Sequence, residues 1–135
     1  MRVPAAVVLL LFVSGCLWKG YARVLEIHLD VLDSMAEKMC ALTSGPPPPS
    51  QMMGEFVYPA KRAKELEEEE SSRSDRASYK KFEQVVQQYE ALVQLFDRSR
   101  VSTEVWTATA GEVCKQSRLI TAEIHSVRES LAEEG

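Results

Sequence analysis

The chain has 135 residues, 16 of them basic and 20 acidic, for a formal charge of −4, and 45% of its residues are hydrophobic. That is apolar material for one modest domain. The absent cationic excess excludes a general nucleic-acid binder, which needs Lys and Arg to neutralise phosphates.

The chain opens with Arg2, an unbroken apolar run from Val3 to Val13, and then Ser14, Gly15 and Cys16. A cation, an apolar stretch and small residues before a cut site have the order of an export signal. The run is too short for an ordinary membrane-spanning helix, which needs about 20 apolar residues, and it contains Pro4. Val13-Ser14-Gly15-Cys16 resembles the lipobox of bacterial lipoproteins, in which an apolar residue and two small ones precede a cysteine. The resemblance implies that residues 1–15 are a signal peptide, that Cys16 becomes the new N-terminus, and that its sulfur carries lipid, anchoring the protein to a membrane. By the family's sorting habit, Leu17 in place of an acidic residue implies the periplasmic face of the outer membrane in a bacterial cell envelope. A plain secretory signal is the alternative, since Val13 and Gly15 also suit a general signal peptidase. Trp18, Lys19, Tyr21 and Arg23 then offer aromatic rings and cations for a headgroup layer.

With Cys16 assigned to lipid, Cys40 and Cys114 remain as a candidate disulfide, consistent with an oxidising compartment. Two buried free thiols are the alternative.

Residues 16–44 read as a membrane-proximal amphipathic helix. Tyr21, Leu25, His28, Leu32, Met35, Met39 and Leu42 recur at alternating steps of four and three. Gly45 and the run Pro46–Pro49 end that helix, because proline lacks the amide donor and clashes with the preceding turn. The four prolines form a stiff spacer in a Pro-rich linker, residues 45–58. Met52, Met53, Phe56, Val57 and Tyr58 follow without a clear period and read as a loop lying over the bundle. The bundle region is then residues 59–135. Pro59 suits the first position of a weak, charged helix with little to bury beyond Ala60, Ala63 and Leu66. Its run Glu67–Glu70 reads as a solvated face. Ser74 or Asp75 is placed to cap the next helix.

That helix carries Tyr79, Phe82, Val86, Tyr89, Val93 and Phe96 on one stripe, with Val85 and Leu92 beside it. Residues 97–100 turn the chain, and Ser102 or Thr103 caps a last helix; one long helix through the junction is the alternative. Trp106, Ala110, Val113, Ser117, Ile120, Ile124, Val127 and Leu131 alternate steps of four and three over almost four heptads. Gly111 reads as a packing concession or a weak point, and Val101, Val105 and Leu119 fall off the stripe as a second contact surface. The fold expected is all-α: a three- to four-helix bundle, or an antiparallel coiled-coil-like hairpin. Cys40 lies near its helix's end and Cys114 about 16 Å into its own, so a bond between them requires a stagger.

A zinc site from His28, Cys40, Cys114 and His125 is disfavoured by spacings far from the short intervals that hold a metal. No nucleophile elbow, phosphate-cradling glycine loop or Cys-x-x-Cys pair occurs. No catalytic residue, metal or cofactor is therefore expected. The function expected is a membrane-anchored accessory protein that binds another envelope protein; the alternative is an exported soluble helical binder of a small molecule or metal. The residues name neither that component nor an oligomeric state.

Overall fold

The computed structural model describes the backbone from Ala5 and side chains from Lys19 onward. The lipid-bearing role expected of Cys16 lies outside the described side chains. Four α-helices follow one another: α1 (Ala5–Leu42), α2 (Met53–Glu69), α3 (Ala77–Ser99) and α4 (Thr103–Glu134). Each runs antiparallel to the next, and α4 returns beside α1, so the four close into an up-down-up-down bundle. Among the described residues there is no strand, and no helix is long and apolar enough to cross a membrane.

The pairing of α1 with α4 has a fixed register. Cys40 meets Cys114, Asp33 accepts a hydrogen bond from Thr121 at 2.6 Å, and Glu26 accepts one from Arg128 at 2.9 Å. Each step of seven back along α1 is a step of seven forward along α4, the heptad spacing of an antiparallel seam. By that register Leu42 stands level with Glu112, and about ten residues of α4, roughly 15 Å, run past the end of α1. The segment between α1 and α2 covers this overhang. Thr43 donates to the Cys40 carbonyl at 2.6 Å and closes α1. The Trp106 indole donates to the Gly45 carbonyl at 2.9 Å, and Arg100 donates to the carbonyl of buried Pro48 at 3.2 Å. The proline run is thus a lid on the bundle's far end rather than a free spacer, with one ring buried and its carbonyl engaged.

Beneath that lid Phe56, Phe96 and Trp106 stack edge to face, with centroids 5.3 and 5.2 Å apart. Phe56 belongs to α2, which begins at Met53 and not at Pro59. Pro59 is inside the helix, where it withdraws one amide donor. In the turn before it the Phe56 carbonyl accepts from the Tyr89 hydroxyl of α3 at 2.7 Å. The helix persists because Met53, Phe56, Ala60, Ala63 and Leu66 form a buried stripe at steps of three and four. Val57 and Tyr58, which hid that stripe in the sequence, face outward at 50% and 63% exposure.

The α1 stripe is also rotated from its expected place. Leu29 and Ala36 are fully buried, whereas His28, Met35 and Leu42 are half-buried on the flank. The polar imidazole keeps part of its surface wet on that flank. The expected stripe of α3 is buried throughout, as is that of α4 except for half-buried Ala110. The turn between α3 and α4 breaks the helix at 100–102, and Ser102 accepts from the Val105 amide at 3.2 Å as the cap. At α3 neither Ser74 nor Asp75 caps. Arg76 occupies the cap position without a side-chain capping bond to the helix, and the first turn is satisfied from the other end of the sequence: Glu134 accepts from the Ser78 amide at 3.0 Å. The carboxylate sits where the helix dipole favours it.

Gly111 is exposed, and a Cβ built there meets nothing within 4 Å. It is a weak point and not a packing concession. Gly111→Ala is expected to stabilise the protein by about 0.5–1 kcal/mol through helix propensity, read as a rise in the urea midpoint with an unchanged slope.

Candidate functional site

Cys40, in the last turn of α1, and Cys114, near the middle of α4, are joined with Cα atoms 4.6 Å apart. The required stagger is the overhang of α4 that the proline lid covers. Two of the three cysteines are thereby consumed, leaving Cys16.

At the opposite end of the bundle the Tyr21 hydroxyl lies 2.9 Å from the Ser78 hydroxyl, which donates to Glu134. The Arg73 guanidinium lies 4.8 Å from the centre of the Tyr21 ring. Burial, followed by the Glu134 charge, raises the Tyr21 phenol and keeps it a neutral donor, against the lowering effect of its hydrogen bond to Ser78. These groups tie α1, α3 and α4 together. They are spent on structure, as is the Tyr89 phenol, whose pKa is likewise raised by burial.

The candidate zinc residues are not gathered. Cys40 and Cys114 are bonded to each other, His125 pairs with Glu129 on the exposed side of α4, and His28 lies across the bundle beside Arg62. Burial and the Arg62 charge lower the His28 pKa. Among the described residues no group of three or more His, Cys, Asp or Glu is arranged to hold a metal.

The surface offers more than the interior. Seven large hydrophobic residues are exposed among those described: Ile27, Val31, Val57, Tyr58, Val101, Val105 and Leu119. The last three were legible as residues off a stripe; Val101 and Val105 sit by the α3–α4 turn, while Leu119 lines a separate groove with Gln88 and Lys115. Of the other four, Ile27, Val31 and Tyr58 lie together on α1 and α2, while Val57 borders the groove between α2 and α3 with Lys64 and Glu90. Ile27, His28, Val31, Tyr58, Pro59 and Arg62 line a shallow groove of about 150 Å³. Spacing does not reveal it, because Ile27 and Val31 each adjoin a residue of the expected stripe, His28 and Leu32, and so read as part of the buried side. Clustered apolar surface on a small protein marks a contact site.

Between α2 and α3 the electrostatics run the other way. Lys64 pairs with Glu90 at 3.0 Å across the seam, and Glu67, Glu68 and Glu83 crowd the same stretch. Glu67 is half-buried, not simply solvated. Burial first, then Glu83 and Glu90, push its carboxyl up to about 7.

Comparison of the chain with protein-family models, curated proteins and solved structures finds no significant match.

Two expectations follow from this geometry. Replacing Cys40 and Cys114 together by serine should lower stability by roughly 4–5 kcal/mol at most, the chain-entropy value for so long a loop; denaturant unfolding measures it, and unreduced protein should take up no alkylating agent at these positions. For Glu67, the raised carboxyl binds its proton more tightly in the folded chain than in the unfolded one. Stability should therefore fall as pH rises from about 4.5 to about 7. Melting temperatures at pH 5 and pH 8 should differ less in Glu67→Gln than in the wild type.

Proposed function

We infer that the protein is an acyl-anchored envelope lipoprotein whose disulfide-braced bundle binds another envelope protein and performs no catalysis. The observation that carries this reading is the division of the cysteines. The bonded pair, Cys40 and Cys114, suits an oxidising compartment, and the cysteine left over stands directly after Val13-Ser14-Gly15, the position a lipid-transferring enzyme would modify.

The surface chemistry fits an accessory role. Buried hydroxyls of Tyr21, Ser78, Tyr89 and Ser99 are taken up by internal hydrogen bonds, while apolar side chains stand exposed on the α1–α2 side and by the α3–α4 turn. A charge balance of 15 basic to 20 acidic residues after removal of Arg2 with the leader favours protein contacts over phosphate-rich polymers.

Intact-mass and peptide analysis of protein purified from membranes of a bacterial host tests the anchor. The expected product begins at Cys16 and carries two or three acyl chains. An unmodified Cys16, or a retained leader in the aqueous fraction, would remove the anchor and the envelope assignment with it. Cross-linking in intact cells followed by affinity purification then identifies the protein bound.

A further inference from the structure

An anchored bundle can stand on its end or lie on its side. We propose that it lies on its side, with the α1–α2 face against an anionic bilayer, Ile27, Val31 and Tyr58 at the headgroup layer, and Lys19, Arg23, Lys61 and Arg62 against lipid phosphates. This placement rests on the lipoprotein reading of Cys16 and adds to it the surface that touches lipid.

The length of chain available makes the first argument. Three residue steps separate Cys16 from Lys19, so even fully extended chain holds Lys19 within about 11 Å of the acylated sulfur. The bundle has no long tether and must contact the surface it is attached to.

Which side makes that contact follows from the side chains. Lys19, Arg23, Ile27 and Val31 are spaced four apart on α1 and form one exposed row leading away from the anchor. Across the groove, Tyr58 of α2 is 63% exposed, with Arg62 one turn further on; Lys61, also exposed, stands on the outer side of α2 and borders the α2–α3 groove as well. Cations at the edge of an apolar and aromatic strip are the arrangement by which amphipathic surfaces bind anionic lipid. Of the carboxylates nearby, Asp30 and Glu26 pair with Arg128 on the α4 side, and Glu65 pairs with Arg62 at 2.7 Å, an exposed pair of the kind that contributes little and that a lipid phosphate would compete with. Three of the seven exposed large hydrophobics, Ile27, Val31 and Tyr58, belong to this one face; Val57 borders the α2–α3 side, and the remaining three lie on the α3–α4 turn and α4.

The alternative, end-on contact, presents mixed charge and nothing apolar. The end holding Tyr21 carries exposed Glu68, Glu69, Asp75 and Glu133 beside exposed Arg76 and Lys80, and none of the exposed large hydrophobics among the described residues. With the α1–α2 side on lipid, the outer surface of α3 and α4, including the Leu119 groove, faces away from the membrane and remains open to a protein partner.

The test uses full-length protein made in a bacterial host, its N-terminus first weighed by mass spectrometry, then reconstituted into phosphatidylethanolamine–phosphatidylglycerol vesicles with brominated acyl chains. An indole is introduced at one of two exposed sites, Ile27→Trp or Leu119→Trp, and the wild-type emission from Trp18 and Trp106 is subtracted. The side-on placement expects roughly twofold or greater quenching in Ile27→Trp and none in Leu119→Trp, since an interfacial apolar side chain sits within reach of the acyl boundary. A second arm adds Lys61→Glu and Arg62→Glu to the Ile27→Trp protein and expects the quenching to fall, with the circular dichroism spectrum unchanged. Equal quenching at the two sites, quenching at neither, or quenching indifferent to the charge reversal would overturn the placement while leaving a lipidated Cys16 standing. An unmodified Cys16 would overturn the anchor and the placement together.

Discussion

The antiparallel seam between α1 and α4 sets the rest of the structure. Its register is held at one end by the bond between Cys40 and Cys114 and at the other by Tyr21 and Glu134, which meet through Ser78. The ion pairs of Arg128 with Glu26 and Asp30 lie between these points, but they are about a third or more exposed and surface pairs contribute little. The core side chains and the covalent link hold the alignment; the charges agree with it. A slip of one turn would separate the sulfurs and mismatch the packing of Leu25, Leu29 and Ile124, all buried in the seam.

That register has a structural cost at the far end, where α4 outruns α1. A bare overhang would leave Trp106 and Phe96 wet. The chain instead folds its proline run back over them, and because prolines carry no amide donors, few backbone groups there need partners. The carbonyls that do are met by Trp106 and Arg100. Stiffness helps here: a segment already restricted in φ loses less entropy on being laid down. The lid delivers the chain to Met53, so the first residues of α2 enter the aromatic stack.

The two long sides of α2 have opposite characters. Toward α3 it shares a seam of carboxylates relieved by Lys64, where protonation of Glu67 eases repulsion. Toward α1 it shares a groove that is apolar at its centre and cationic at its rim. The α1 side is thereby the more apolar of the two, and an apolar strip beside exposed Lys19 and Arg23 orients a molecule against a charged surface.

Much of this was readable before any fold was known. The sequence determined that the protein is helical, where α3 and α4 begin and end to within a few residues, that both stripes are buried, and that Ser102 or Thr103 caps α4, of which the fold uses Ser102, because these properties follow from periodicity and local hydrogen bonding. Tertiary structure alone decided that α2 starts at Met53 with Pro59 inside it, that Leu29 and Ala36 displace His28 and Met35 from the core, that Glu134 caps α3, and that Ile27 and Val31 face outward beside Tyr58. Spacing along one helix says which residues share a side, but not how far that side is turned. The angle and the register are settled only when another helix covers it, as Phe96 does for Phe56 and Cys114 for Cys40.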